Sequence, residues 1–473
     1  VLPLALIIFA FNVLVVAVAC GLFLYQLGIE SRLQSAHRLR LLDTKAAATL
    51  RTLPSLAQLM LELHPNSEHL QPDPHGKDPR PHAGPFHVFL SHNWKHGQSE
   101  MRIIKTRLRE MLPNASVFLD VDNHGAGKDF PHIDVSDVML CYLSELWFTN
   151  APCLREVVRA MIRKKPLIAL LEPDTSEQHG GHHEAKCREI LLSKAYADKM
   201  EAVMGPQVKH WAEAWGQPDL RLPTGEEIVA ALFETQPAVV WYRLADFQDV
   251  SMRLIAERLL PNAPQYASPY RQTAYMRGEI VQQVKGKLKL PAVRADCEFH
   301  LYLSPSSPGG GTAGLNIAEE LKALLPTLTW TDDPAKLASC EHMPVLLTSE
   351  TWTRGEASDA YARDVCRAMR QGVHRLLVHE VVGARLGDSE ARHATSFEQI
   401  IGATPRHLFE AKLYNEIAQN MGGGEWREAG LAKMAAQLCK GSGTREQWRA
   451  QPAAPEGEEE AEAGGGGSGS AAQ

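Results

Sequence analysis

The sequence predicts an α/β protein with two parallel-sheet domains behind a long apolar helix. Three observations carry this expectation. Between Phe86 and Glu172, short apolar runs rich in β-branched and aromatic residues alternate with stretches of helical spacing. The second half of the chain echoes the first at four places, in order. From Leu2 to Tyr25 the only strongly polar side chain is Asn12, and the first charge is Glu30.

Phe86–Ser91, Ser116–Asp120, Val138–Leu143 and Leu167–Leu171 read as strands buried on both faces, because each is short, apolar and bounded by polar turns. Gln98–Leu112 places Met101, Ile104, Leu108 and Leu112 on one helical face. Strands that alternate with helices imply right-handed crossovers, a parallel sheet and helices on both sides of it. A further helix opens near Pro152 and runs to Arg163, and Lys186–Met204 is again helical in pattern. Ala238–Tyr242 reads as a fifth strand and Phe247–Leu260 as a closing helix. The first domain is therefore expected over 86–261, with a linker at 262–295 that contains Pro264 and Pro269.

Residues 1–29 match the ~20 apolar residues that a helix needs to cross a bilayer. The start is not basic and lacks a clear small-residue cleavage site, so a signal peptide is not expected. Because the chain begins with Val rather than Met, more sequence is expected upstream. Arg32, Arg38, Arg40, Lys45 and Arg51 outnumber Glu30 and Asp43 after the span, which predicts that this side is cytoplasmic. Ser31–Leu63 has helix-compatible composition. It reads equally as a solvated linker helix and as one that lies on headgroups or pairs with a partner. Leu63–Pro85, rich in Pro, His, Asn, Asp and Gly, completes a boundary region over 30–85.

The net charge is −7, but five of the acidic residues are tail glutamates between Glu456 and Glu462, so the remainder is near neutral. No general basic surface is left for nucleic acid. The eight cysteines are scattered without a Cys-x-x-Cys pair, a usage that suits reduced thiols.

The order Phe86-His87-Val88-Phe89-Leu90-Ser91-His92, then Val117-Phe118-Leu119-Asp120 with Gly125 and Gly127, then Ser144 and Cys153-Leu154-Arg155-Glu156-Val157, resembles a TIR (Toll/interleukin-1 receptor) domain. The likeness covers roughly ninety residues. It implies a flavodoxin-like fold and signalling through association with other TIR domains, of the same or another kind. In NAD-cleaving members, the glutamate of the third motif sits beside the nicotinamide ribose. There a fixed carboxylate stabilises the positive charge that develops as the bond to nicotinamide breaks. The resemblance places that role on Glu156, with NAD as substrate rather than cofactor. It makes the loop Val121–Phe130 the surface that assembles or gates the site.

Read from the residues alone, Glu156 is equally a carboxylate at the start of a helix, where the partial positive charge favours it. His92, Asn93 and Trp94 are substrate-binding candidates, since they would line the cleft at the strands' carboxyl ends; the resemblance adds Asp120, Gly125, Gly127 and Lys128, which look like the strand end and following loop of NAD-cleaving members. Relatives often carry an aromatic residue where Pro152 stands, and Trp147 is the nearby substitute. His124 also departs from the usual apolar residue. Two readings follow, an NAD glycohydrolase and a non-catalytic adaptor that recruits other TIR proteins. His179, His182, His183 and Cys187 form a histidine-rich loop without standard zinc spacing, so no metal is expected.

In the second half, Phe299–Ser304 repeats Phe86–Ser91, and Leu321–Pro326 repeats Leu108–Pro113. Ala362–Met369 repeats Leu154–Met161, while Phe409 and Ile417 keep the spacing of Phe247 and Ile255. The pattern indicates a tandem duplication. The copy, 296–441, is degenerate. Asp364 replaces the glutamate and withdraws the carboxyl by about 1 Å. Asp332-Asp333-Pro334-Ala335 replaces the glycine loop.

Gly309-x-Gly311-x-x-Gly314, with Asp332 beyond it, imitates a dinucleotide fingerprint. However, Ser304–Pro308 separates these glycines from their strand, whereas the fingerprint turns directly off it. Residues 442–473 form an acidic and Gly/Ser-rich tail that is expected to be disordered.

Overall fold

A computed structural model of the chain describes residues 2–50, 52–53, 85–119, 132–260, 274–383 and 386–449. The apolar segment forms a helix, α1 (Leu2–His37). Among the described residues, however, no helix is long and apolar enough to cross a membrane. The expected span is therefore withdrawn, together with the membrane location, the cytoplasmic orientation and the membrane as a partner. Nor does α1 continue toward Leu63. It stops at His37, and β1 (Leu39–Leu41) follows.

The described chain divides into two compact units. The first comprises Val1–Lys289, Glu380–Ser396 and Asn420–Cys439, and the second comprises Leu290–His379, Phe397–Gln419 and Lys440–Gln473.

In the first unit, β2 (Phe86–Ser91) leads into α2 (Trp94–Met111) and β3 (Val117–Phe118). Then come β4 (Ser136–Leu143), α3 (Ala151–Ile162) and β5 (Leu167–Leu171). Next are α4 (Glu184–Leu192), α5 (Lys194–Ala214), β6 (Val239–Val240) and α6 (Ala245–Arg258). The strands are parallel in the order β3-β2-β4-β5-β6. That is the 2-1-3-4-5 order of doubly wound sheets of flavodoxin type. Helix α2 packs with α6, and α3 packs with α5.

Caps explain where sequence and structure differ. Asn93 accepts from the Lys95 backbone N–H at 3.0 Å, which starts α2 four residues before the apolar pattern at Gln98. The single helix expected over Lys186–Met204 is interrupted at Ser193, whose Oγ accepts from the Tyr196 N–H at 3.2 Å and caps α5. Gly97 permits α2 to lie close on the sheet, since a Cβ there would stand 2.8 Å from the Tyr142 ring. Buried Leu90, Met101, Ile104, Leu108, Leu140 and Trp241 fill the core. Within the region expected as a linker, β7 (Ala274–Met276) pairs antiparallel with β1, with Leu39 opposite Met276.

The second sheet takes β8 (Phe299–Tyr302), β9 (Trp330–Thr331), β10 (Cys340–Leu347), β11 (His374–Glu380) and β12 (Gln419–Met421). Their order, β9-β8-β10-β11-β12, is the same 2-1-3-4-5 arrangement. Helix α7 (Thr312–Leu324) follows β8, and α8 (Glu356–Gln371) follows β10. By contrast, α9 (Glu425–Leu438) belongs to the first unit, although the repeat would assign it to the second. There the Trp426 indole N–H reaches the Phe247 carbonyl at 3.1 Å and Ser251 Oγ at 3.2 Å. The tail begins later than expected, because Thr444 caps a helical turn at Arg445–Trp448.

Candidate functional site

Strand order reverses between β2 and β4, and open α/β sheets bind ligands in the crevice outside the strand ends at such a reversal. Ser91 is the last residue of β2 and lies in register with Cys141 of β4. Glu156, the sixth residue of α3, comes to this point. The Ser91 hydroxyl donates to Glu156 Oε2 at 2.6 Å, and the Trp147 indole N–H donates to Ser91 Oγ at 3.0 Å. Asn150 caps the helix by accepting from the Cys153 N–H at 3.3 Å, so Glu156 is not the cap that its sequence position allowed. The thiols of Cys141 and Cys153 border the carboxylate. Burial, and then the charge of Glu156, push both well above the usual thiol range, so both stay protonated.

The candidate binding residues separate into distinct environments. His92 is buried, with Nδ1 at 3.4 Å from the Leu90 carbonyl, and its own carbonyl accepts from the Cys153 thiol at 3.4 Å. Asn93 is buried as the α2 cap. Trp94, the first residue of α2 and three positions beyond Ser91, is 55% exposed. Trp147 is wholly buried with its N–H committed to Ser91, so it supplies no stacking surface for a substrate. Asp120, Gly125, Gly127, Lys128 and the loop Val121–Phe130 lie outside the described residues.

Ser91 received no role from sequence, although a serine recurs at the same place in both copies. Also missed was a polar network at the carboxyl ends of β4, β5 and β6. The Tyr142 hydroxyl donates to Glu172 Oε2 at 2.7 Å, and Arg243 Nη2 meets the same oxygen at 2.7 Å. Arg243 Nε lies 3.3 Å from Glu100 Oε1, while the Trp241 N–H donates to Glu100 Oε2 at 2.7 Å. Burial raises the Tyr142 phenol far above its ordinary value, with the Glu172 charge adding to it. One guanidinium thus joins two carboxylates from different elements, which fixes the strand ends beside the crevice. The signal available in sequence was an acid, Glu172, directly after a wholly apolar strand.

The histidine-rich loop does not gather a metal set among the described residues. His179 pairs with Arg243 at 2.8 Å, His182 stacks on Phe148, and Cys187 is buried with its thiol pushed up to about 12 by desolvation.

The second unit repeats the serine–acid pair. Ser304, just beyond β8, donates to Asp364 Oδ2 at 2.7 Å. Here the Tyr302 hydroxyl also donates to Oδ2 at 3.3 Å, and Arg367 Nη2 donates to Oδ1 at 3.0 Å. Gly309, Gly310 and Gly311 all adopt positive φ (68°, 64° and 90°), conformations that glycine takes without strain. The Gly309 N–H points to Glu350 Oε2 at 3.3 Å, so a pyrophosphate at this turn would meet a carboxylate. This disfavours a dinucleotide site here.

In comparisons with known proteins, no family model matches the chain and no curated protein matches it.

Proposed function

We propose that the first unit is a TIR-type domain that cleaves the bond between nicotinamide and ribose in NAD, and that it signals through association with other TIR domains. The observation that supports this reading is the Glu156 carboxylate, held by Ser91 at the strand-order reversal of a parallel sheet. Open α/β sheets take ligands at such a reversal, and a carboxylate fixed there can stabilise an oxocarbenium-like sugar as the neutral nicotinamide leaves. Trp94 offers the exposed ring on which a base or the nicotinamide can stack. The 2-1-3-4-5 order in both sheets is compatible with the TIR-type reading.

The second unit is read as a non-catalytic copy, because Tyr302 and Arg367 already occupy the Asp364 carboxylate. A wholly non-catalytic adaptor is the second reading, favoured by the buried position of Trp147. The test is nicotinamide release from NAD by the full chain at high protein concentration, with Glu156→Ala as the control. Turnover that disappears in the variant supports the hydrolase, and an inert wild type under clustering leaves the adaptor.

A further inference from the structure

The three-group chain Trp147–Ser91–Glu156 has a direction that the hydrogen-bond chemistry dictates. An indole N–H can only donate, so at 3.0 Å it must give its proton to the Ser91 oxygen. The serine hydroxyl has a single proton, and at 2.6 Å that proton goes to Glu156 Oε2. Such a bond requires the carboxylate to be an acceptor, and so it favours the ionised form. Ser91 and Trp147 are both completely buried, which removes competition from water.

The second unit preserves the same direction with a different first donor. The Ser306 backbone N–H donates to Ser304 Oγ at 3.2 Å, and Ser304 donates to Asp364 at 2.7 Å. Where the acid also bonds Tyr302 and Arg367, the serine is still there. Retention of donor, serine and acid in two copies with different side chains ties the serine to the carboxylate rather than to one particular packing.

We infer that Ser91 is the positioning residue of the first unit, oriented by the Trp147 N–H so that its hydroxyl holds Glu156 charged and aimed at the crevice. The role of the aimed carboxylate rests on the hydrolase reading, but the relay itself does not. Titratable neighbours on the described elements include the Cys141 and Cys153 thiols, which remain neutral across the acid range. The Arg159 guanidinium, on the same helix, donates to Asp134.

Two measurements on the full chain keep the relay and the hydrolase reading separate. The first is the pH titration of the Glu156 side-chain carboxyl by carbon-13 NMR with glutamate-selective labelling, the signal being assigned by its loss in Glu156→Gln. Ser91→Ala should raise the midpoint by about one pH unit, Ser91→Thr should leave it near wild type, and Trp147→Phe should raise it less than Ser91→Ala. An unmoved midpoint in Ser91→Ala, or equal shifts in the alanine and threonine variants, overturns the relay whether or not the protein turns over NAD. The second is the pH–rate profile of nicotinamide release. Ser91→Ala should lower kcat roughly 10- to 100-fold with KM little changed and move the acid limb upward, and Ser91→Thr should recover most of the loss. If the NMR shift occurs in a protein with no turnover, the relay stands and the hydrolase reading falls.

Discussion

Ser91 and Glu156, 65 positions apart in sequence, are joined by a 2.6 Å hydrogen bond, and Ser304 and Asp364 repeat it at 2.7 Å in the second unit. The two acids differ in what else holds them. Asp364 also receives Tyr302 and Arg367.

Glu156→Gln keeps the shape of the side chain and a hydrogen-bonding partner for Ser91 while removing the charge. Under the hydrolase reading it should lower kcat by at least about 100-fold, the scale on which a transition-state charge partner acts, with a much smaller change in KM. The thermal transition should move little. Steady-state nicotinamide release together with a melting curve would check both parts.

Asp364→Asn should act in the opposite way. It weakens the ion pair to Arg367 and the bonds from Ser304 and Tyr302, so the second unit should lose about 1–3 kcal/mol. Under the hydrolase reading, nicotinamide release should be unaltered. Hydrogen exchange resolved to β8 and α8, measured beside activity, would register the loss.

Asp134 is wholly buried and accepts from Arg159 twice at 2.7 Å, with Arg163 at 3.1 Å; the two guanidinium groups also lie over the Trp211 and Trp215 rings. Asp134→Ala leaves two charges without their carboxylate and should destabilise the first unit by roughly 3–5 kcal/mol. Because Arg159 and Glu156 share α3, activity should fall with stability. Denaturant titration followed by tryptophan fluorescence would report it.

The second unit should weaken as the pH falls. His342 and His374 are buried with their Nδ1 atoms 2.7 Å apart, so one must donate and the other accept. Desolvation, and then the charge of its neighbours, holds His342 down to about 3, and desolvation holds His374 down to about 4. The unfolded chain takes up these protons near the ordinary value of ~6.5, earlier than the folded one. Stability is therefore fully present above pH ~6.5 and is lost as the pH drops toward 4 and below. Replacement of both histidines by glutamine should flatten this dependence, as measured by acid unfolding followed through hydrogen exchange in β10 and β11.

Strands such as Phe86–Ser91 and Leu167–Leu171 were legible to the residue, because a strand buried on both faces must be apolar throughout. Helix starts were less so. The α2 start depended on the Asn93 side chain turning back to the Lys95 N–H, and the α4–α5 break depended on Ser193 doing the same. The apolar run at the start misled, since among the described residues no helix is long and apolar enough to cross a membrane. For the site, Glu156 could be named from its motif. Ser91 could not, because an unremarkable serine at a strand end acquires meaning only when an acid 65 residues later is brought to it.

The sequence by itself determined that the chain is α/β, since that follows from local periodicity; from identities at matched positions it raised the expectation of an internal repeat, and from its motif it offered Glu156 as the residue to test. Only the tertiary structure decided that Trp147 is buried rather than stacking, that α9 packs with the first unit, and that Asp364 bonds Tyr302 and Arg367 as well as Ser304. The reason is physical. Hydrogen bonds and desolvation depend on distances between residues far apart along the chain, and those distances exist only once the sheets have closed around their helices.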